Sequence, residues 1–312
     1  MNDKLSRYNL NPSEEINIFE VGIFLLKKRK QIFYVGLLSV LLSFLYAFWQ
    51  DDIYQSTASL IPFEQNNSLS DLPDLGGLAS LAGINLSQSS DRSAEAMERI
   101  SSFGFFQDHF LPSILLENLM AVDKWNPLTG EVLYDESIFD SAKREWIRKE
   151  RFPKKRIPSE QEAFEKYLEI MSISQDNKTK FVSLSINHKS ADIAQDFVKK
   201  IIDLINSSMR QADKVRTLKS IDFLNNEMRK VQFIELKQAI SSLQQDQMES
   251  LMLIEANEEY IFQILNPPIV SEEKYSPNRL LIILIGTFAG IFLCAFFYSV
   301  IFVANNNQKN IK

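Results

Sequence analysis

The stretch LLIILIGTFAGIFLCAFFYSVIFVA, residues 280–304, decides how the rest of the sequence is interpreted, because it contains no charged residue. A second uncharged stretch, IFYVGLLSVLLSFLYAFW, covers residues 32–49. A helix needs about 20 apolar residues to cross the roughly 30 Å hydrocarbon core of a bilayer. Both stretches are long enough, and we predict transmembrane helices over residues 31–49 and 279–304. The alternative for either one is a helix buried in the core of a soluble protein.

The first stretch also has to be distinguished from a cleaved signal peptide. The sequence STAS at residues 56–59 has the small side chains of a cleavage site. However, the apolar region is longer than the roughly 7 to 15 residues of a signal peptide, and about 30 residues precede it. An uncleaved membrane anchor is the better interpretation.

The charges beside the first stretch predict its orientation. The basic run KKRK, residues 27–30, precedes it, and Asp51 and Asp52 follow it. Because basic residues favour the cytoplasmic side of a membrane, the N-terminus is expected in the cytoplasm, although Lys274 and Arg279 oppose this weakly at the second span.

Two spans return the chain to the side from which it started. We therefore expect a cytoplasmic segment at residues 1–30 and a cytoplasmic tail at residues 305–312. The intervening residues 50–278 form one outer domain that is held at both ends.

Part of the outer domain has the pattern of an α/β base, predicted over residues 50–190 and 258–270. The stretch IYQSTASLIPF, residues 53–63, has the β-branched and aromatic composition of a strand. SEQEAFEKYLEIMSIS, residues 159–174, is typical of a helix that leads into a strand, and alternation in KFVSLSINH, residues 180–188, completes a predicted antiparallel hairpin. The apolar centre of residues 66–90 is expected to lie on the membrane surface or on a neighbouring chain. The alternative is a small helix that packs on the domain.

A long helical arm is predicted over residues 190–257. Between Ser190 and Leu265 there is no glycine or proline, and apolar residues recur every three or four positions. One helix of that length would extend more than about 100 Å, which is too long for a compact domain. We expect the chain to fold back on itself within residues 225–233, so that two narrow apolar stripes pack together.

A proline-rich strut is predicted between the outer domain and the second span, over residues 266–278. It contains Pro267, Pro268 and Pro277. Proline fixes φ near −65° and favours extended structure before it, so this segment is expected to be stiff and to hold the domain close to the bilayer.

The sequence offers little for catalysis. His109 and His188 each lack a nearby cysteine or histidine, and neither the G-x-x-x-x-G-K-[ST] nor the G-x-G-x-x-G pattern occurs. Cys294 is the only cysteine and lies in the second span, so no disulfide framework is expected. We predict no catalytic residues, no metal, no cofactor and no nucleic-acid partner, and therefore a protein that is not an enzyme.

Two spans that bracket an outer domain are also the layout of a membrane-anchored sensor. A sensor needs an output domain, and the predicted cytoplasmic segments are shorter than the roughly 40 residues at which a domain folds unaided. A structural or regulatory assembly protein is the remaining class, with a sensor lacking its own output domain as an alternative.

Small residues predict how the two spans pack. Helices in lipid associate through small side chains that let their backbones approach. The second span carries a G-x-x-x-G pattern with a cysteine four residues further on, and the first span carries a stripe at matching spacing. The members of the two stripes are Gly286, Gly290 and Cys294, and Gly36, Ser39, Ser43 and Ala47. We predict that the stripes face each other, within a subunit or between neighbours; the alternative is that they face lipid.

Five segments, in order along nearly the whole chain, resemble the Wzz-type chain-length determinants, or polysaccharide co-polymerases, of bacterial inner membranes. The segments are EEINIFEVGIFLLKKRKQIF with the following IYQSTASLIP, then DKWNPLTGEVLYD, IPSEQEAFEKYLEIMSIS, VSLSINHKSADIAQDFVKKIIDLIN and LMLIEANEEYIFQILNPPIVSEEKYSPNRLLIILIG. Each motif by itself is modest, and their order between two spans makes the resemblance specific.

The resemblance implies an α+β fold in which two transmembrane helices bracket a periplasmic α/β base with a protruding helical arm. It implies a ring of identical subunits, commonly eight, in the inner membrane. It also implies a role with the membrane polymerase in setting the length of a lipid-linked glycan, such as O-antigen. The alternative role is a structural component of an exopolysaccharide synthesis or export complex. Some members carry a tyrosine kinase after the second span, and none is expected in this chain.

Overall fold

The computed structural model describes the backbone of residues 18–63 and 88–309 and the side chains of residues 23–63 and 92–302. The apolar centre of the predicted loop, residues 75–84, lies outside the described residues, as do residues 1–17 and 310–312. Asp52–Tyr275 forms one compact unit, here called the base-and-arm unit. The segments up to Asp51 and from Ser276 onward form a second one, the helical unit.

The structure confirms the mixed α+β class, with a long apolar helix at each end of the described chain and one long helix between them. The main α-helices are α1 (Ile18–Lys27), α2 (Arg29–Trp49), α3 (Gln88–Ile100), α4 (Leu116–Met120), α5 (Glu160–Ile170), α6 (Ala191–Lys230), α7 (Ile234–Ala256) and α8 (Arg279–Lys309). Between α3 and α4 lie a short α-helical turn (Phe103–Phe105), a π-helix (Phe106–Phe110) and a 3-10 turn (Leu111–Ser113). The strands are β1 (Tyr54–Pro62), β2 (Val122–Trp125), β3 (Val132–Tyr134), β4 (Phe139–Asp140), β5 (Glu145–Trp146), β6 (Met171–Gln175), β7 (Val182–His188) and β8 (Phe262–Asn266).

The centre of the base is an antiparallel four-stranded sheet with the order β6-β7-β1-β8. The predicted hairpin of β6 and β7 is confirmed, with Met171 opposite Ile186 and Gln175 opposite Val182. Side chains along β7 alternate between buried and half-buried because successive residues of a strand point to opposite faces. Two further antiparallel pairs, β2 with β3 and β4 with β5, lie between α4 and α5 in sequence.

The start of α5 is defined by a capping box. Ser159 Oγ accepts a hydrogen bond from the Glu162 backbone N–H at 3.2 Å, and the Glu162 carboxylate accepts one from the Ser159 N–H at 3.1 Å. Arg148 donates to the same carboxylate at 2.6 Å and lowers the pKa of Glu162. This arrangement satisfies two backbone donors that a helix otherwise leaves unpaired, and it ties the basic segment before α5 to the helix.

The hydrophobic core lies between one face of the sheet and the first turns of α6. Leu60 of β1 and Leu184 of β7 are fully buried there, as are Phe197 and Ile201 of α6. The predicted arm therefore begins later than residue 190, because the first five turns of α6 belong to the core of the base.

Aromatic side chains extend this core. The Phe110 ring lies 4.9 Å from that of Tyr167 and 5.3 Å from that of Phe197, and Phe106 lies 5.1 Å from Tyr167. The Tyr167 hydroxyl donates to the Ile100 carbonyl at 2.9 Å, and burial raises the pKa of Tyr167 well above its ordinary value. The hydroxyl is thereby held neutral and paired, as a buried polar group requires.

The second half of α6 pairs with α7 in an antiparallel helical hairpin. The helical structure stops between Lys230 and Ile234, within the stretch where the sequence predicts a fold-back. Gln244 donates to Asn225 at 2.9 Å near this turn, and Lys214 contacts Glu255 at 2.5 Å further along. The part of α6 after Met209 and the whole of α7 together form the arm.

Candidate functional site: the paired apolar helices

The two apolar helices, α2 and α8, run antiparallel along each other in the helical unit. Small residues occupy the contact. A Cβ atom placed on Gly286 would lie 2.8 Å from Ser43 Cβ, and one placed on Gly290 would lie 2.5 Å from Ser39 Cβ. Real Cβ atoms do not approach this closely, so both positions require glycine at the present distance between the helices.

The structure brings the two predicted stripes together within one chain. Gly36, Ala47 and Cys294 are buried, whereas most neighbouring positions on both helices face outward. Gly36 faces Ile291 rather than a small residue, since a Cβ atom placed on Gly36 would lie 3.2 Å from Ile291 Cγ1. The importance of the stripes for assembly stays a prediction.

Cationic and aromatic side chains mark both ends of the helix pair. At one end the Lys28 ammonium lies 5.9 Å from the centre of the Tyr298 ring. At the other end the Arg279 guanidinium lies 4.9 Å from the centre of the Phe48 ring. Twenty residues separate Lys28 from Phe48, which corresponds to about 30 Å of helix. This length matches a bilayer core, and such side chains are typical of membrane interfaces.

The outward faces between these ends are apolar and uncovered. Phe288 and Phe292 are each 70% exposed, and Leu37 is 59% exposed. A core helix of a soluble protein would have these side chains buried, so this alternative does not describe α2 or α8. Both are long and apolar enough to cross a membrane.

The helix α1 continues the hairpin beyond the basic run. It ends at Lys27, the chain turns at Lys28, and α2 begins at Arg29. The Phe24 ring lies 5.1 Å from that of Phe302, so α1 packs along the last described turns of α8. The second apolar helix is therefore longer than the predicted span and continues to Lys309.

The three prolines of the predicted strut belong to two different units. Pro267 and Pro268 follow β8 in the base-and-arm unit, and Pro277 belongs to the helical unit. Pro268 is buried, and its carbonyl accepts a hydrogen bond from Gln195 Nε2 at 3.0 Å. The segment after β8 is thus bonded to α6.

Further hydrogen bonds hold the same segment along β1. Ser56 Oγ donates to the Ile269 carbonyl at 2.8 Å, and the Tyr275 N–H donates to the Ile53 carbonyl at 2.8 Å. Both ends of the segment between β8 and α8 are therefore attached to the strand that follows α2. The stiffness of the segment stays a prediction.

Polar side chains buried in the base were missed by the sequence analysis. Asn206 of α6 forms hydrogen bonds through both its amide oxygen and its amide nitrogen. Oδ1 accepts from the Ile261 and Phe262 N–H groups at 2.8 and 2.9 Å, and Nδ2 donates to the Phe262 carbonyl at 3.0 Å. The available signal was an asparagine within an otherwise apolar stripe, since buried polar groups need partners. Asn206 joins α6 to the start of β8.

His188 is a second buried polar side chain with two hydrogen-bond partners. Its Nε2 lies 2.9 Å from the Asn118 carbonyl, and its Nδ1 accepts a hydrogen bond from the Ser190 N–H at 3.0 Å. The second bond leaves the proton of the neutral ring on Nε2, which donates to Asn118. Burial lowers the pKa of His188 to about 4.

A charged cluster ties the helix after the undescribed segment to the arm. Arg92 of α3 forms an ion pair with Asp213 of α6, and its guanidinium also donates to the Tyr260 hydroxyl at 3.2 Å. That hydroxyl in turn donates to Asp213 at 2.9 Å. Sequence spacing did not indicate this cluster because its members come from three distant segments.

The described residues contain no group of three or more histidine, cysteine, aspartate or glutamate side chains placed to hold a metal ion. Residues 18–63 and 88–309 thus form an α+β structure with two helices that are long and apolar enough to cross a membrane.

No family model and no curated protein matches the chain. Among solved structures, a full-length bacterial polysaccharide co-polymerase is similar with a TM-score of 0.40 and 12% identity, over 94% of this chain and 99% of that one. A fragment of WzzB, the polysaccharide co-polymerase of Salmonella Typhimurium, is similar with a TM-score of 0.31 and 14% identity, over 72% of this chain and 100% of the fragment. At this level of similarity, the function has to be argued from the chain's own residues.

Proposed function

We propose that this protein regulates the chain length of a lipid-linked surface polysaccharide, O-antigen or a related glycan, by acting with the membrane polymerase. The observation that carries the proposal is the closing segment of the sequence, residues 251–286, which resembles the chain-length determinants. In the structure this segment is a continuous connection from the end of α7 through β8 and the proline segment into α8. A regulator of this kind needs a repeated surface attached to the membrane, and it needs no bond-making residues.

Self-association is part of the proposal, as a ring of identical subunits, eight by family resemblance. Apolar side chains on the arm support it, because they stay exposed in a single copy. Phe223 is 62% exposed and Met252 is 68% exposed, and Leu243 is also exposed. Exposed apolar surface of this kind is typical of interfaces between proteins. We infer that a second copy of the chain covers it.

The proposed location is the bacterial inner membrane, with both termini in the cytoplasm and the base-and-arm unit in the periplasm. The support is the basic run at residues 27–30, followed by Asp51 and Asp52 on the other side of α2. The lipid bilayer, the polymerase and the lipid-linked glycan are the proposed partners.

The test is a gel of surface polysaccharide from cells with and without the protein. Loss of the protein should leave polymer being made and change its length distribution from modal to broad, and the wild-type chain on a plasmid should restore the mode. If synthesis stops entirely, a structural role in a synthesis or export complex replaces this proposal. An unchanged distribution would remove both.

A further inference from the structure

The helical unit carries an apolar groove of about 610 Å³ on the face formed by α1, α2 and part of α8. Leu25 and Arg29 line one end, Phe33 and Gly36 line the middle, and Val40 lines the other end. Gly36 lies against Ile291 of α8, which lines the same groove. The lining is apolar except for Arg29 and Thr287.

The length of the groove corresponds to one leaflet of a bilayer. Eleven residues separate Arg29 from Val40, which is about 17 Å of helix. The hydrocarbon core is about 30 Å thick, so one leaflet contributes about 15 Å. The part of the groove that α2 lines therefore begins at the level of the Lys28–Tyr298 contact and ends near the middle of the bilayer, and Leu25 and Leu26 of α1 extend the groove beyond that contact.

The charge at the outer end of the groove favours an anion. Arg29 lies within the basic run of residues 27–30, and it is exposed at the end of the groove that it helps to line, whereas Lys30 does not line the groove. A guanidinium presents several donors in a planar fork that matches phosphate. The apolar lining and the cation at one end together fit a molecule with an alkyl chain and a phosphate head.

We propose that the groove binds one acyl chain of an anionic glycerophospholipid from the leaflet at the N-terminal end of α2, with Arg29 bound to the head-group phosphate. The site would fix the depth and rotation of α2 at that leaflet. This proposal requires that α2 and α8 lie in a bilayer, and it does not depend on a role in polysaccharide length.

Native mass spectrometry of the purified full-length protein tests the proposal. The protein in detergent is offered phosphatidylglycerol and phosphatidylcholine with the same palmitoyl chains. We expect the wild-type protein to retain phosphatidylglycerol about tenfold more strongly, because both heads carry the phosphate but the choline cation of phosphatidylcholine offsets its charge. Tenfold corresponds to about 1.4 kcal/mol. Short-chain phosphatidylglycerol should be retained less, because it leaves the inner part of the groove empty.

Arg29→Gln and Lys30→Gln form a matched pair, since each removes one positive charge from adjacent positions. Arg29→Gln should abolish the preference for phosphatidylglycerol, and Lys30→Gln should keep it. Equal losses in the two variants would show that the basic run acts as a diffuse charge and would overturn the site. A wild-type protein without head-group preference would overturn it too. So would disulfide formation between two chains carrying Phe33→Cys and Cys294→Ser, because a second copy would then occupy the groove.

Discussion

Asn206 shows how much of this fold depends on one buried amide. It lies on the side of α6 that faces the core, and its three hydrogen bonds all go to backbone groups at the start of β8. Phe262 is the first residue of β8 and lies opposite Pro62 of β1, so the asparagine binds the backbone where the ladder between β8 and β1 begins. Without it, three backbone groups in the interior lose their partners.

Asn206→Leu is therefore expected to lower the free energy of unfolding by about 3 kcal/mol, since each unsatisfied buried group costs roughly 1–3 kcal/mol. Thermal unfolding of the purified full-length protein, followed by circular dichroism, measures the effect. The matched control is Asn225→Leu on the same helix, because Asn225 is exposed and its bond to Gln244 is replaceable by water. Equal effects of the two substitutions would contradict the role of Asn206.

His188 predicts a pH dependence of stability. In the folded protein its pKa is about 4, because burial disfavours the charged ring, while the ordinary value is 6.5. Protonation would also replace the Nδ1 lone pair that accepts from Ser190 and would place a charge near Lys166 and Lys189. The unfolded chain therefore binds the proton more readily than the folded one.

Because the unfolded chain binds the proton more readily, the folded protein loses stability as the pH falls. The stabilisation is fully present above about pH 6.5 and is lost as the pH falls towards 4, with a loss of about 2 kcal/mol between pH 7 and pH 5. Urea unfolding at these two pH values measures it. His188→Gln should flatten the dependence over this range, and His109→Gln, at an exposed position, should leave it unchanged. A wild-type stability that is the same at pH 5 and pH 7 would refute the prediction.

At the scale of elements, the pairing of α2 with α8 depends on Gly286 and Gly290. Replacing both by leucine keeps α8 apolar, so membrane insertion should survive, but the new side chains collide with Ser43 and Ser39 and must separate the helices. We expect less oligomer on native gels and in crosslinking, together with a broader distribution of glycan length.

The control for this double variant is Ala289→Leu, which adds similar bulk at an adjacent position on the exposed face of α8. It should leave the oligomer and the modal length intact. If the double variant also keeps an intact oligomer and a normal modal length, the contact between α2 and α8 is dispensable and the base-and-arm unit assembles the complex alone.

The apolar pattern of α6 predicts a helix but does not predict which part of it is buried. Its apolar residues recur at helical spacing along its whole length, so the pattern predicts the helix without showing what each part packs against. In the structure Ile201 and Ile205 are fully buried in the base, whereas Val215 is 40% exposed on the arm. The change of environment depends on where the sheet ends, and that position is not encoded in α6 itself.

For the whole molecule, the orientation in the membrane is testable by labelling. In a Cys294→Ser background, cysteine introduced at Ser6 should resist a membrane-impermeant thiol reagent in spheroplasts, because the basic run keeps that end in the cytoplasm. Cysteine at Ser207 should react, since Ser207 is exposed in the base-and-arm unit. The same cysteines in lysed cells provide the control for reactivity. The reverse pattern of labelling in intact spheroplasts would invert the proposed topology.

The amino-acid sequence by itself determined the elements whose information is local. Two long stretches without charged residues predicted the apolar helices, and the alternation of apolar and polar residues predicted the hairpin of β6 and β7. The absence of glycine and proline predicted the two arm helices. The small-residue stripes were also readable, because a repeat of four positions places residues on one helical face.

Only the tertiary structure decided which distant groups meet. It placed β8 beside β1, paired the two stripes within one chain, and assembled the Arg92, Asp213 and Tyr260 cluster from three segments. It also showed that Asn206 and His188 are buried and hydrogen-bonded. The physical reason is that burial and hydrogen-bond partners depend on contacts between segments far apart in the chain. The spacing of residues within one segment does not predict those contacts.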